Sequence, residues 1–236
     1  MRNKSSWLVL GALVLAGIGL AYYFEGKGAP ASTAPAKTST ATSTSPIASI
    51  TTPQGVSFTY STEKYGLATT PDQVLTLSYI PPCEEDFDYC LYNKSPDFSG
   101  TNFESAGLRI KARGDLASKQ SCLTTPPAGR SSPPTTTSSG TVYATSAFPV
   151  DGAAAGHYAS GTLYRLYAAG HCTEFETRIG ESQYANFPAG SIQKFTDADR
   201  TRVEAELMSI LASVSVSGVS VVFQIPAPPA GVYLSH

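Results

Sequence analysis

The chain has 236 residues, 42% hydrophobic and only 14% charged, which is enough apolar material for a buried core and too much for a disordered chain. Its formal net charge is −2; with Arg2 and Lys4 set aside, because they precede a long apolar run, 14 basic residues remain against 18 acidic ones, a balance of −4. That sign disfavours a nucleic-acid partner, because such binding draws its affinity from Lys and Arg neutralising phosphates.

Residues 1–6 read as a short cytoplasmic tip. The following run 7–24, WLVLGALVLAGIGLAYYF, carries no charge, and as a helix rising about 1.5 Å per residue it just spans a hydrocarbon core of roughly 30 Å. Arg2 and Lys4 before it, with Trp7, Tyr22 and Tyr23 at its ends, predict a single-pass signal anchor: N-terminus in the cytoplasm, the rest outside the cell membrane. The alternative is a secreted chain cut near Ala31, where Ala29-Pro30-Ala31 supplies small residues. The apolar run exceeds the usual signal-peptide core of about 7–15 residues, which favours the uncleaved anchor. Residues 25–52, rich in Ala, Ser, Thr and Pro, predict a disordered tether with sites suited to O-glycosylation.

An extracytoplasmic domain is expected over 53–214. Strict alternation predicts strands at Val56–Tyr60, Val74–Ile80 (ended by Pro81-Pro82) and Ala106–Arg113. In the third, Leu108, Ile110 and Ala112 face inward and Arg109, Lys111 and Arg113 form a solvated outer face. Residues 124–140, again Pro, Ser and Thr, predict a flexible loop. Strands follow at Thr141–Phe148, Tyr158–Ala168 and Cys172–Ile179, the last two joined by a turn at Ala169-Gly170-His171. Thr196 with Asp199 starts a helix whose apolar face is Val203, Leu207, Ile210, Leu211 and Val214. The remainder, 215–236, predicts a turn at Ser217-Gly218 and a closing strand through Val219, Val221, Phe223 and Ile225. The fold class expected is α+β: an N-terminal transmembrane helix, then one antiparallel sheet covered by a C-terminal amphipathic helix.

The chemistry-bearing residues are few. An even cysteine count in an exported domain predicts two disulfides among Cys83, Cys90, Cys122 and Cys172. Three pairings are possible, and proximity in sequence favours Cys83 with Cys90 and Cys122 with Cys172. The segment Cys83–Cys90 is then an acidic loop whose Glu84, Glu85, Asp86 and Asp88 are weak candidates for a Ca²⁺ site. They lack EF-hand spacing, and a solvated acidic loop is the favoured reading; the inserted Phe87 and Tyr89 also suit a contact surface for a basic partner. The Ser-x-x-Lys pairs Ser61/Lys64 and Ser191/Lys194 lack the companion motifs of penicillin-binding enzymes. A serine hydrolase would have to use His157 or His171. No catalytic residue, cofactor or metal ligand set is therefore expected.

The opening Gly55-Val56-Ser57-Phe58-Thr59-Tyr60 and the closing run from Glu206 to Val214, with its Ile210-Leu211-Ala212-Ser213-Val214 end, resemble exported domains of the PsbP/Mog1 type. In that group a G-x-S-F-x-Y strand begins an antiparallel sheet and a helix with such an ending packs on it. The resemblance implies an α-β sandwich with accessory or binding roles and no fixed catalytic residues. The expectation from sequence is thus a membrane-anchored extracytoplasmic domain of non-catalytic binding, accessory or envelope role, with an envelope protein as its partner. The alternatives are an exported hydrolase with a Ser/His site and a Ca²⁺-binding domain at the acidic loop.

Overall fold

The computed structural model describes residues 46–126, 135–139, 141–153 and 156–223. Eleven strands in these residues form two antiparallel sheets. The smaller has the order β1 (Ile47–Thr51), β2 (Val56–Ser61), β10 (Ser215–Val216), β11 (Val219–Ser220). The larger runs β3 (Tyr65–Ala68), β4 (Tyr89–Asn93), β5 (Phe103–Ala112), β9 (His171–Ser182), β8 (His157–Ala168), β7 (Thr141–Ala153), β6 (Thr135–Ser139). The architecture is therefore mainly β, which corrects the single-sheet α+β expectation: the chain leaves β2 through a short turn at 62–64 and enters a different sheet.

Period-2 patterning explains the front of the large sheet. Leu108 and Ile110 on β5, Tyr164 and Leu166 on β8, and Phe175 and Ile179 on β9 are all buried, together with Val56 and Phe58 of β2. The same core takes in helix α2 (Asp197–Ala212) through Val203, Leu207, Ile210 and Leu211, with Val214 just beyond it. Here the sequence pattern and the structure agree residue for residue. A capping box starts the helix, Thr196 Oγ1 accepting from Asp199 N and the Asp199 carboxylate accepting from Thr196 N. Buried Asn102 positions the approach to it, accepting from Phe195 N and donating to Ser182 O.

The back of the same sheet has a different cover. One roof is the segment 74–88. Its passage is so close that a Cβ on Gly107 would fall 2.4 Å from Pro82 O, and one on Gly180 would fall 2.6 Å from Ile80 Cγ2. The other is the segment through Leu116 and helix α1 (Lys119–Thr124), where Leu116, Cys122 and Leu123 pack on Cys172.

Other expectations are corrected. Val74–Ile80 is not a strand: a 3₁₀ turn, Pro71–Gln73, leads into further turns. Side chains take the backbone groups a ladder would have used, Ile80 N donating to Glu104 Oε2 and Ser105 Oγ donating to Ile80 O. The expected tether of 25–52 ends in β1, which pairs with β2 in register Ile47 to Ser61. The expected loop of 124–140 contains β6, paired along β7. The closing strand is shorter than expected, although Ser217 and Gly218, both at positive φ, make the anticipated turn. Among the described residues no helix is long and apolar enough to cross a membrane. The run 7–24 lies outside those residues, as do 25–45 of the tether and 224–236 of the tail.

Candidate functional site

Both roofs are stapled by disulfides. Cys83 joins Cys90 and Cys122 joins Cys172, the pairing that sequence proximity favours. Two buried disulfides place this chain in an oxidising, extracytoplasmic setting.

Beneath the roofs lies a layer of buried charge. Strand alternation sends Arg109 and Lys111 of β5, Arg165 of β8, and Glu174, Glu176 and Arg178 of β9 to the back face, and Arg113, just past β5, joins them. Antiparallel register then sets Glu176 opposite Arg109 and Glu174 opposite Lys111 and Arg165. Glu174 accepts from Arg109 at 2.5 Å, Arg113 at 2.8 Å and Arg165 at 2.8 Å. Glu176 pairs with Arg109 at 2.7 Å. Arg165, 1% exposed, also donates to Thr125 O just past α1. This corrects the solvated strand face expected for the β5 basic row: Arg109 is 7% exposed, and its two terminal nitrogens meet Glu174, Glu176 and Asp86 O. Burial alone would raise the Glu174 pKa, but Arg109, Arg165 and Arg113 outweigh it and hold the carboxyl below its ordinary range.

The acidic loop covers the end of this layer. Glu84 takes Arg178 at 3.1 Å, Asp86 takes Lys111, and Asp88 accepts from Ala112 N at 2.6 Å. The carboxylates are thus drawn to three separate partners, and among the described residues no group of three His, Cys, Asp or Glu is placed to hold a metal ion. Glu85 is exposed. Beside the loop is an open depression of about 360 Å³, lined by Phe87, Asp88 and Tyr89 together with Pro53, Gln54, Thr69 and Ala112.

A second polar cluster holds the other roof segment in place. Glu104 Oε1 meets both His157 Nδ1 and Ser182 Oγ, while Glu104 Oε2 accepts from Ile80 N. The exposed Tyr79 ring stacks on His157 with centroids 4.0 Å apart. Serine, histidine and carboxylate therefore meet, but not as a nucleophilic relay. Such a relay puts the acid on one imidazole nitrogen and the serine on the other. Here both lie at Nδ1, Ser182 Oγ at 3.3 Å from it, and the serine proton goes to Glu104. Ser182 is 7% exposed. The cluster reads as a clamp joining the loop at Ile80 to β5, β8 and β9.

The remaining candidates stay apart. His171 is exposed at the turn into β9. Lys64 is committed to Glu206 at 2.5 Å, and Ser191 Oγ donates to Pro188 O; neither Ser-x-x-Lys pair lies on a helix. The buried layer was hidden from sequence reading because its halves are separated by 65 residues between Arg109 and Glu174. The available signal was the matching alternation of Glu174, Glu176 and Arg178. The depression had no such signal, since its lining comes from four separate stretches of chain. No protein-family model, curated protein or solved structure matches this chain.

Proposed function

We propose that this chain is a non-catalytic extracytoplasmic binding domain with an accessory or envelope role, held at the membrane by the apolar run 7–24 and spaced from it by the chain ahead of Pro46. Its contact surface is the acidic loop between Cys83 and Cys90 and the depression beside it. The observation that carries this reading is the way the loop is pinned: a disulfide at its base, Arg178 and Lys111 beneath it, and exposed Glu85 on its outside. A loop fixed on a rigid sheet presents its groups at little entropic cost on binding. The histidine best placed for catalysis is instead tied into the clamp around Glu104.

Two measurements test the reading. A C-terminal alkaline phosphatase fusion to the full chain is expected to be active and to sediment with membranes. The purified chain is expected to turn over ester, amide and glycoside substrates no faster than its His157→Ala variant. An inactive, cytoplasmic fusion would overturn the compartment, and turnover lost in the His157 variant would overturn the non-catalytic role.

A further inference from the structure

We infer that the depression beside the acidic loop takes a lysine or arginine side chain of a partner protein. The inference rests on the reading of the chain as a binding domain and names what its contact surface recognises. About 360 Å³ is room for a long side chain, at the lower end of the roughly 300–1,000 Å³ typical of small-ligand sites.

The lining suits a cation on an apolar shank. Phe87, Tyr89 and Pro53 supply ring surfaces, and Asp88 supplies the one carboxylate; aromatic faces attract ammonium and guanidinium groups electrostatically. Each of these groups is fixed from behind. Tyr89 packs edge-on against the core residue Phe58, with centroids 6.5 Å apart. Phe87 packs against the cluster of Ala68, Val74 and the Cys83–Cys90 disulfide. Asp88 is held through Oδ2 by Ala112 N.

Charge bookkeeping within the chain points the same way. The cations of the strand beside the loop are already taken, Lys111 by Asp86 and Arg109 by Glu174 and Glu176. No described cation pairs with Asp88 or with exposed Glu85, so the loop keeps a negative field at the mouth of the depression. A phosphate or carboxylate ligand would meet that field as repulsion. An aliphatic side chain would cover Asp88 without answering its charge. A bare divalent ion would find a single protein carboxylate, too few oxygens for a tight site.

The test uses the full chain, ¹⁵N-labelled and reconstituted in nanodiscs, titrated with three blocked tripeptides, acetyl-Gly-X-Gly-amide with X as lysine, arginine or norleucine. Saturable shifts of the Asp88, Tyr89 and Ala112 amides are expected with lysine and arginine at millimolar affinity, weakening as salt is added, and none with norleucine. Asp88→Asn keeps an acceptor for Ala112 N and should weaken binding by about tenfold. Phe87→Leu keeps an apolar side chain against the disulfide cluster but removes the ring, and should weaken binding by about threefold. Equal binding of the norleucine peptide, unchanged affinity in Asp88→Asn, or no shift at tens of millimolar peptide would overturn the inference. Butylamine binding as tightly as the lysine peptide would overturn the commitment to a protein partner. None of these results touches the fusion and turnover measurements, so this inference and the binding-domain reading fail separately.

Discussion

Glu174 is the residue on which the buried layer balances, since three guanidinium groups converge on its two oxygens. Replacing it with Gln keeps the shape and removes the charge that Arg165 and Arg109 were buried to meet. Breaking one partner of a buried pair costs about 3–5 kcal/mol, so Glu174→Gln should lower unfolding free energy by that order in urea titrations. A loss under about 1 kcal/mol would mean the arginines find another counter-charge. The same carboxyl sets an acid limit. Its folded pKa lies below its unfolded value, so its stabilisation is present above the unfolded carboxylate pKa of about 4.3 and is lost as pH falls through the depressed folded value. Asp115 adds to the same trend, held down to about 2 chiefly by its hydrogen bonds from Arg113. Melting temperature should therefore be flat from neutrality to about pH 5 and fall below it, with a shallower acid slope in Glu174→Gln. Gly107 makes a separate prediction. A methyl there would meet two backbone oxygens, Pro82 O at 2.4 Å and Leu91 O at 2.9 Å. Neither can move without moving a strand or the roof, so Gly107→Ala should cost about 1–3 kcal/mol by thermal melting.

Among the elements, the two staples differ in what they close. Cys122–Cys172 spans 50 residues and Cys83–Cys90 only 7, and the loop-entropy relation gives roughly 4 kcal/mol for the first and roughly 2 for the second. Paired Ser replacements should rank in that order in unfolding free energy; the reverse order would show that the acidic loop depends on its bridge for more than chain entropy. Thr196→Ala removes the cap of α2 and should cost about 1 kcal/mol. Which elements were legible follows from where their energy comes from. β2, β5, β8, β9 and α2 bury one face in a common core, and their periodicities say so. β1 lies at a sheet edge with Ile47 69% exposed, so its Ser- and Thr-rich sequence looks like the linker before it. Val74–Ile80 alternates like a strand, yet only Val74 and Ile80 of its large apolar residues are deeply buried, while Leu77 and Tyr79 face outward. Nothing local announces that Glu104 and Ser105 will claim its backbone. The burial of the basic row on β5 is illegible for a related reason: exposure of a charged row depends on what crosses over it, and the covering loops belong to other stretches of chain.

At the scale of the molecule, the large sheet has one face covered by helix and second sheet and the other by stapled loops. The second cover is thin in apolar material, which is why the disulfides matter and why an oxidising compartment suits the chain. The cysteine count and pairing were readable from sequence. The sheet count was not, because nothing local marks the turn at 62–64 as a passage between sheets. The small sheet is also assembled from both ends of the described chain: β10 pairs with β2, with Val216 opposite Val56 across a sequence separation of 160 residues. The β1–β2 hairpin can close locally, but the sheet it belongs to cannot be completed until Ser215–Ser220 has been synthesised and delivered. Whatever carries this protein to its oxidising compartment must therefore handle a chain whose β2 edge stays unpaired, and open to proteases and to its own kind, until β10 has followed it across.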